Sequence, residues 1–154
     1  MDYWLFKSEP EDFSLNDLKS AKAQRTHWDG VRNYQARNFM RSMKKGDLGF
    51  FYHSNCAEPG IVGIVEICRE AYPDHTAFDI NDKHFDAKSD PQNPRWSMVD
   101  LRYKRQLKKL ISLKELKEYA DSKLKGLALV RRGNRLSVLP VSKPHWNFIL
   151  KLER

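Results

Sequence analysis

The opening residues, 2–7, are largely apolar on both faces: Tyr3, Leu5 and Lys7 alternate with Trp4 and Phe6. That pattern predicts a strand buried near the centre of a sheet, ended by Pro10. Ser14 followed by Asp17 has the spacing of a capping box and predicts a short helix with Leu15 and Leu18 facing inward. Over 33–44 the period lengthens. Ala36, Phe39, Met40 and Met43 make one apolar face and Arg37 and Arg41 stand one turn apart on another, which predicts a helix. Gly30 before it and Gly46-Asp47 after it are turn signals. Residues 48–53 and 61–68 are dense in β-formers with Pro59-Gly60 between them, a strand–loop–strand unit.

The pattern is lost over 70–97, where Pro73, Pro91 and Pro94 stand among many Asp and Asn. This reads as a long loop of the kind that carries function or moves. Alternation returns with Val99, Leu101 and Tyr103 against Asp100, Arg102 and Lys104. Ser112 with Glu115 predicts a capped helix over 112–120. Residues 127–132 and 136–141 flank the Gly133-Asn134 turn. A last helix starts near Pro144 and turns Trp146, Ile149 and Leu150 inward. The order is strand, helix, helix, several strands, helix, strand, helix. It predicts an α+β class, and the many short strands suggest a curled or barrel-like sheet.

A chain of 154 residues with 40% hydrophobic content fits one domain, 1–154, around one core. No apolar run approaches the roughly 20 residues needed to span a bilayer. The N-terminus has no basic region ahead of an apolar stretch, so it does not read as a secretory signal. A soluble cytoplasmic protein is expected, or a nuclear one in a eukaryote. Cys56 and Cys68 read as free thiols. His53 and Cys56 are a near pair with no second pair to complete a zinc site, so neither metal nor cofactor is expected. The net charge of +8 favours polyanionic partners.

The run 28–38 (WDGVRNYQARN) adds the chemistry, together with 6–10 (FKSEP) and 51–55 (FYHSN). Rings, small hydroxyls, amides and arginines gather in turn-like contexts, as a flat polar ligand such as a nucleobase requires. These fragments, with 46–54 (GDLGFFYHS), 60–64 (GIVGI), 94–100 (PRWSMVD) and 135–142 (RLSVLPVS), resemble the EVE domain family, in order and at matching separations. The resemblance runs from Trp4 to Trp146. It implies a PUA-like fold, a small β-barrel with helices packed around it, similar to the YTH domain that reads methylated bases in an aromatic cage. It also implies a non-catalytic reader of modified bases, notably modified cytosine in DNA. The compact form without a long basic extension is similar to the family's stand-alone bacterial members.

A base can enter a pocket only when flipped out of the duplex, at a few kcal/mol. Stacking on a ring returns roughly 1–3 kcal/mol. Trp28 is the first candidate platform and Trp96 and Tyr52 are further walls; each could equally be a core or capping aromatic. Gly30 would let backbone approach the ligand, with the Val31 amide as a donor. Asn33, Ser8, Ser54 and Ser137 could read the base edge, or could cap helices and turns. Arg32, Arg37, Lys44 and Lys45 are candidate phosphate contacts; Arg32 or Arg37 could instead be buried against Asp29 or Asp47. An RNA reader of modified tRNA or rRNA is the main alternative. A nucleic-acid-modifying enzyme is disfavoured, because no deaminase signature and no oriented nucleophile pair is visible. A monomer bound to nucleic acid, with no membrane role, is expected.

Overall fold

In the computed structural model, which describes residues 1–153, six strands form one mixed sheet flanked by four α-helices. The strands are β1 (Tyr3–Ser8), β2 (Arg25–His27), β3 (Leu48–His53), β4 (Gly60–Pro73), β5 (Ser97–Ser112) and β6 (Val138–Val141). The helices are α1 (Leu15–Ser20), α2 (Tyr34–Ser42), α3 (Leu113–Lys117) and α4 (Lys143–Leu152). The sheet order is β2-β5-β4-β3-β1-β6.

The strongly patterned segments fold as read. Both bonds of the Ser14/Asp17 capping box form and bury Leu15 and Leu18. Ser142 caps α4, which stacks Trp146 on Phe50 at 3.9 Å between centroids and on Tyr3 at 4.6 Å. The expected loop over 70–97 is shorter, because β4 runs on to Pro73 and β5 starts at Ser97. Strand β2 had no apolar alternation to reveal it. It forms by pairing to β5, with Arg25 opposite Arg102 and its guanidinium on Asp100 at 2.6 Å. The segment expected as a helix over 112–120 is α-helical only from Leu113 to Lys117. Cys56 and Cys68 are both free thiols.

The sheet curls without closing. Four register shifts interrupt the β4–β5 ladder, and each such bulge bends the strands and raises their twist. The end strands β2 and β6, three and four residues long, are not paired to each other among the described residues. The α+β class holds and the sheet is curled; the strand pairing does not close it into a barrel among the described residues.

One feature of the topology positions the site. β1 and β3 are parallel, with Ser8 opposite His53, so both strands end at the same side of the sheet. The Ser54 amide donates to Ser8 O at 3.0 Å there. β6 runs antiparallel to β1, and the Lys7 amide donates to Ser137 O at 2.8 Å, which brings Ser137 to the same end. Trp28, just past β2, donates its amide to Val99 O at 2.7 Å.

His53 ends β3 and accepts the Leu15 amide proton on Nε2 at 3.1 Å, pinning the start of α1. Burial pushes its pKa below the ordinary 6.5, against a smaller opposing pull from Asp17. A depressed imidazole pKa means the folded state binds fewer protons than the unfolded chain. The stability is complete above about pH 6.5 and declines as pH falls from there toward the folded value. The denaturant midpoint of the wild type should therefore drop between pH 7.5 and pH 5.5 by more than that of His53→Gln. Equal drops in the two proteins would remove His53 from this role.

Candidate nucleic-acid interface

At that end of the sheet lies an open cavity of about 990 Å³, at the upper end of the range of small-ligand sites. Of the residues expected to contact a base, Ser8, Trp28, Gly30, Val31, Ser54 and Ser137 line it. Ser8 Oγ donates to Phe13 O at 2.6 Å. The side chains of Ser54 and Ser137 make no hydrogen bond within the described residues. The charged lining is balanced, with Lys7, Arg32, Lys83 and Arg135 against Glu9, Asp12, Asp29 and Asp82. Burial lowers the pKa of Lys7, which lies over the Tyr52 ring at 5.9 Å.

Trp28 is only 9% exposed. Phe6, Phe51 and Phe13 meet it edge-on, at 5.6, 5.7 and 6.5 Å between centroids. The indole is thus part of the core and presents a strip to the cavity, not a free-standing face. Gly30 has φ +78, and a Cβ there would fall 2.4 Å from the imidazole of His84. His84 packs into the space the glycine leaves, and Gly30 itself lines the cavity.

The Gly30 amide donates at 2.8 Å to Asp74 Oδ2. Asp74 is fully buried and also accepts from the Thr76 amide, the Thr76 hydroxyl and Arg32. Burial alone would raise its pKa, but these donors outweigh it and hold the carboxyl below its usual value. Arg32 directs every nitrogen inward. Nε reaches His84 O, Nη1 reaches Val31 O and Asp74, and Nη2 reaches Thr76 Oγ1 and His84 O. With its five donors so engaged, Arg32 has none left for a phosphate. Its ion-pair partner is Asp74, not Asp29 or Asp47.

The other expected contacts lie elsewhere. Asn33 accepts the Ala36 amide at 2.9 Å as the cap of α2. Tyr52 is 3% exposed, and burial pushes its phenol up to about 12; it borders a separate groove. Trp96 is buried, donates its indole N–H to Asp86 at 2.6 Å and stacks on Tyr34 at 4.8 Å. Arg37 lies over Tyr34 at 4.8 Å and donates to Arg95 O and Asn38. Lys44 and Lys45 sit on the turn before β3, so a six-residue strand, roughly 20 Å long, separates them from Ser54. Asp47 on that turn instead accepts the Trp4 indole N–H at 3.0 Å and the Lys44 amide. The reading of the sequence missed Lys7, Phe13, His84 and Arg135 as cavity residues. Lys7 precedes Ser8 and Arg135 lies two residues before Ser137, within the same fragments, which was the available signal.

The EVE domain model matches residues 2–152. The chain belongs to the EVE domain family. Thymocyte nuclear protein 1 of Rattus norvegicus is 51% identical to this EVE protein over 99% of the chain and 74% of the relative. The human protein of that name is 49% identical over 98% and 73%. Among solved structures, human THYN1 in complex with 5-methylcytosine-containing DNA superposes at TM-score 0.97, with 48% identity, covering 100% of this chain and 98% of that one. A Pseudomonas syringae protein superposes at 0.93 with 48% identity, covering 99% of each. The α+β sheet fits the PUA-like fold of the family. Among the described residues no helix is long and apolar enough to cross a membrane.

Arg32→Ala in this EVE domain would strand the fully buried Asp74 carboxylate, at roughly 3 kcal/mol of stability. Arg32→Lys should recover only part, since an ammonium cannot reproduce the forked set of bonds. Chemical denaturation measures both, and a loss under about 1 kcal/mol for the alanine variant would show that the pair is dispensable.

Proposed function

We propose that this chain is a non-catalytic reader of a modified base in DNA, modified cytosine foremost, which it takes flipped out into the cavity beside Trp28. The observation that carries this reading is the cavity's position in a chain so similar to human THYN1, a protein solved with 5-methylcytosine-containing DNA. The relatives' name also says nuclear, in keeping with DNA as partner.

The lining suits the task. Trp28, Phe13 and Val31 provide apolar surface against which a ring and an added methyl can pack. Ser54 and Ser137 bring hydroxyls able to accept from, or donate to, the edge of the base; cytosine presents its N4 amino group as a donor. The Val31 and Gly30 backbone closes one side. One methyl in an apolar pocket is worth about 1–3 kcal/mol, or 10–200-fold. Modest discrimination over a general affinity for DNA is therefore the expected behaviour of a single domain.

Trp28→Ala is a poor probe, because emptying a core site of this size costs about 3–5 kcal/mol. Trp28→Phe keeps most of the packing. Fluorescence anisotropy at one salt concentration should show about tenfold tighter binding to a 5-methylcytosine duplex than to its unmodified twin. Trp28→Phe and the Ser54→Ala/Ser137→Ala pair should each narrow that ratio. Equal affinity of the wild type for the two duplexes would refute the reading, and a preference seen only with matched methylated RNA would transfer it to RNA.

A further inference from the structure

Nearly every arginine of the described residues is occupied. Arg25, Arg32, Arg95, Arg102 and Arg105 pair with carboxylates. Arg37 and Arg41 bond to backbone carbonyls and small polar side chains, and Arg69 lies over the Tyr72 ring at 3.5 Å. The guanidinium groups without such a partner are those of Arg131, Arg132 and Arg135. All three are exposed and fall on one five-residue segment.

That segment joins two concavities. Arg135 lines the base cavity. Arg131 and Arg132 line a neighbouring groove of about 450 Å³, where Lys7 and Lys117 are the other charged residues and no acid takes part. Lys7 borders both. The contrast with the base cavity, whose four cations face four acids, is chemical: the groove is a one-sign site. Asn134, in the same turn, has its amide nitrogen buried without an acceptor. Such convergence of unpaired donors suits phosphate oxygens.

Resting on the base-reading function, we propose that residues 131–135, with Lys7 and Lys117, form a rail for the DNA backbone that grips the phosphates beside the flipped nucleotide. The segment turns back on itself, the Asn134 amide donating to Arg131 O at 3.3 Å, so it meets a short stretch of one strand. The rail replaces Arg32, Arg37, Lys44 and Lys45 as the phosphate-binding set.

The test measures affinity against salt for the wild type, Arg131→Ala/Arg132→Ala and the charge-matched Lys44→Ala/Lys45→Ala, on methylated and unmodified duplexes. All four side chains are exposed, and circular dichroism checks that each protein is folded. Each phosphate contact contributes about 0.9 to the slope of log affinity against log salt. Removing both arginines should therefore flatten the slope by about 1.8 on both duplexes while leaving the methylated-to-unmodified ratio intact, and the lysine pair should change the slope little. An unchanged slope, an equal change in the lysine pair, or a lost methyl preference in the arginine pair would each overturn the rail. A wild type without methyl preference, whose slope still flattens in the arginine pair alone, would sink base reading and leave the rail standing.

Discussion

The Asp74 carboxylate organises this end of the molecule. It is wholly removed from water and accepts from the Gly30 amide, Arg32, and the amide and hydroxyl of Thr76. A lone buried charge is unfavourable by several kcal/mol, so the two chain segments that supply its donors are held together. One is the turn after β2, with Trp28, Gly30 and Val31. The other is the loop after β4, which carries His84 into the space that Gly30 leaves. The wall of the cavity is the result of satisfying one carboxylate.

That constraint divides the charged residues into two populations. The first is consumed by the fold. Arg32 clamps the loop, Arg37 and Tyr34 continue the stack onto Trp96, Arg25 bridges β2 to Asp100, and Arg105 holds Glu153. Among the arginines the second is Arg131, Arg132 and Arg135, left over for solvent or ligand on the turn that leads into β6. A positive total charge therefore says less about recognition than the location of the cations that lack internal partners.

The elements with a strong hydrophobic period were legible in the sequence: the capping box of α1, the face of α2, β3, the start of β4 and the cap of α4. β2 was not, because Arg25, Thr26 and His27 have no apolar alternation and owe their conformation to β5. Whether the curled sheet closes was not legible, because closure depends on which strands lie at the ends, and local pattern does not encode that. At the site, family motifs led to Ser8, Trp28, Val31, Ser54 and Ser137, all of which reach one cavity. Motif membership could not tell a ligand contact from a clamp. Asn33, Trp96 and Arg32 belong to the motif segments for structural reasons visible only once Ala36, Asp86 and Asp74 are placed beside them.

The turn at Gly133 has a further consequence. Gly133 adopts φ +78 and an added Cβ there would touch nothing within 4 Å, while Arg131 and Arg132 before it are exposed. Changes of charge at Arg131 and Arg132 would leave the interior undisturbed. If the chain grips nucleic acid as proposed, evolution could retune that grip by editing a surface loop alone. Changes at Trp28 would instead have to pass through the interlocked ring cluster of Phe6, Phe13 and Phe51, so the turn and the cavity wall are free to diverge at very different speeds.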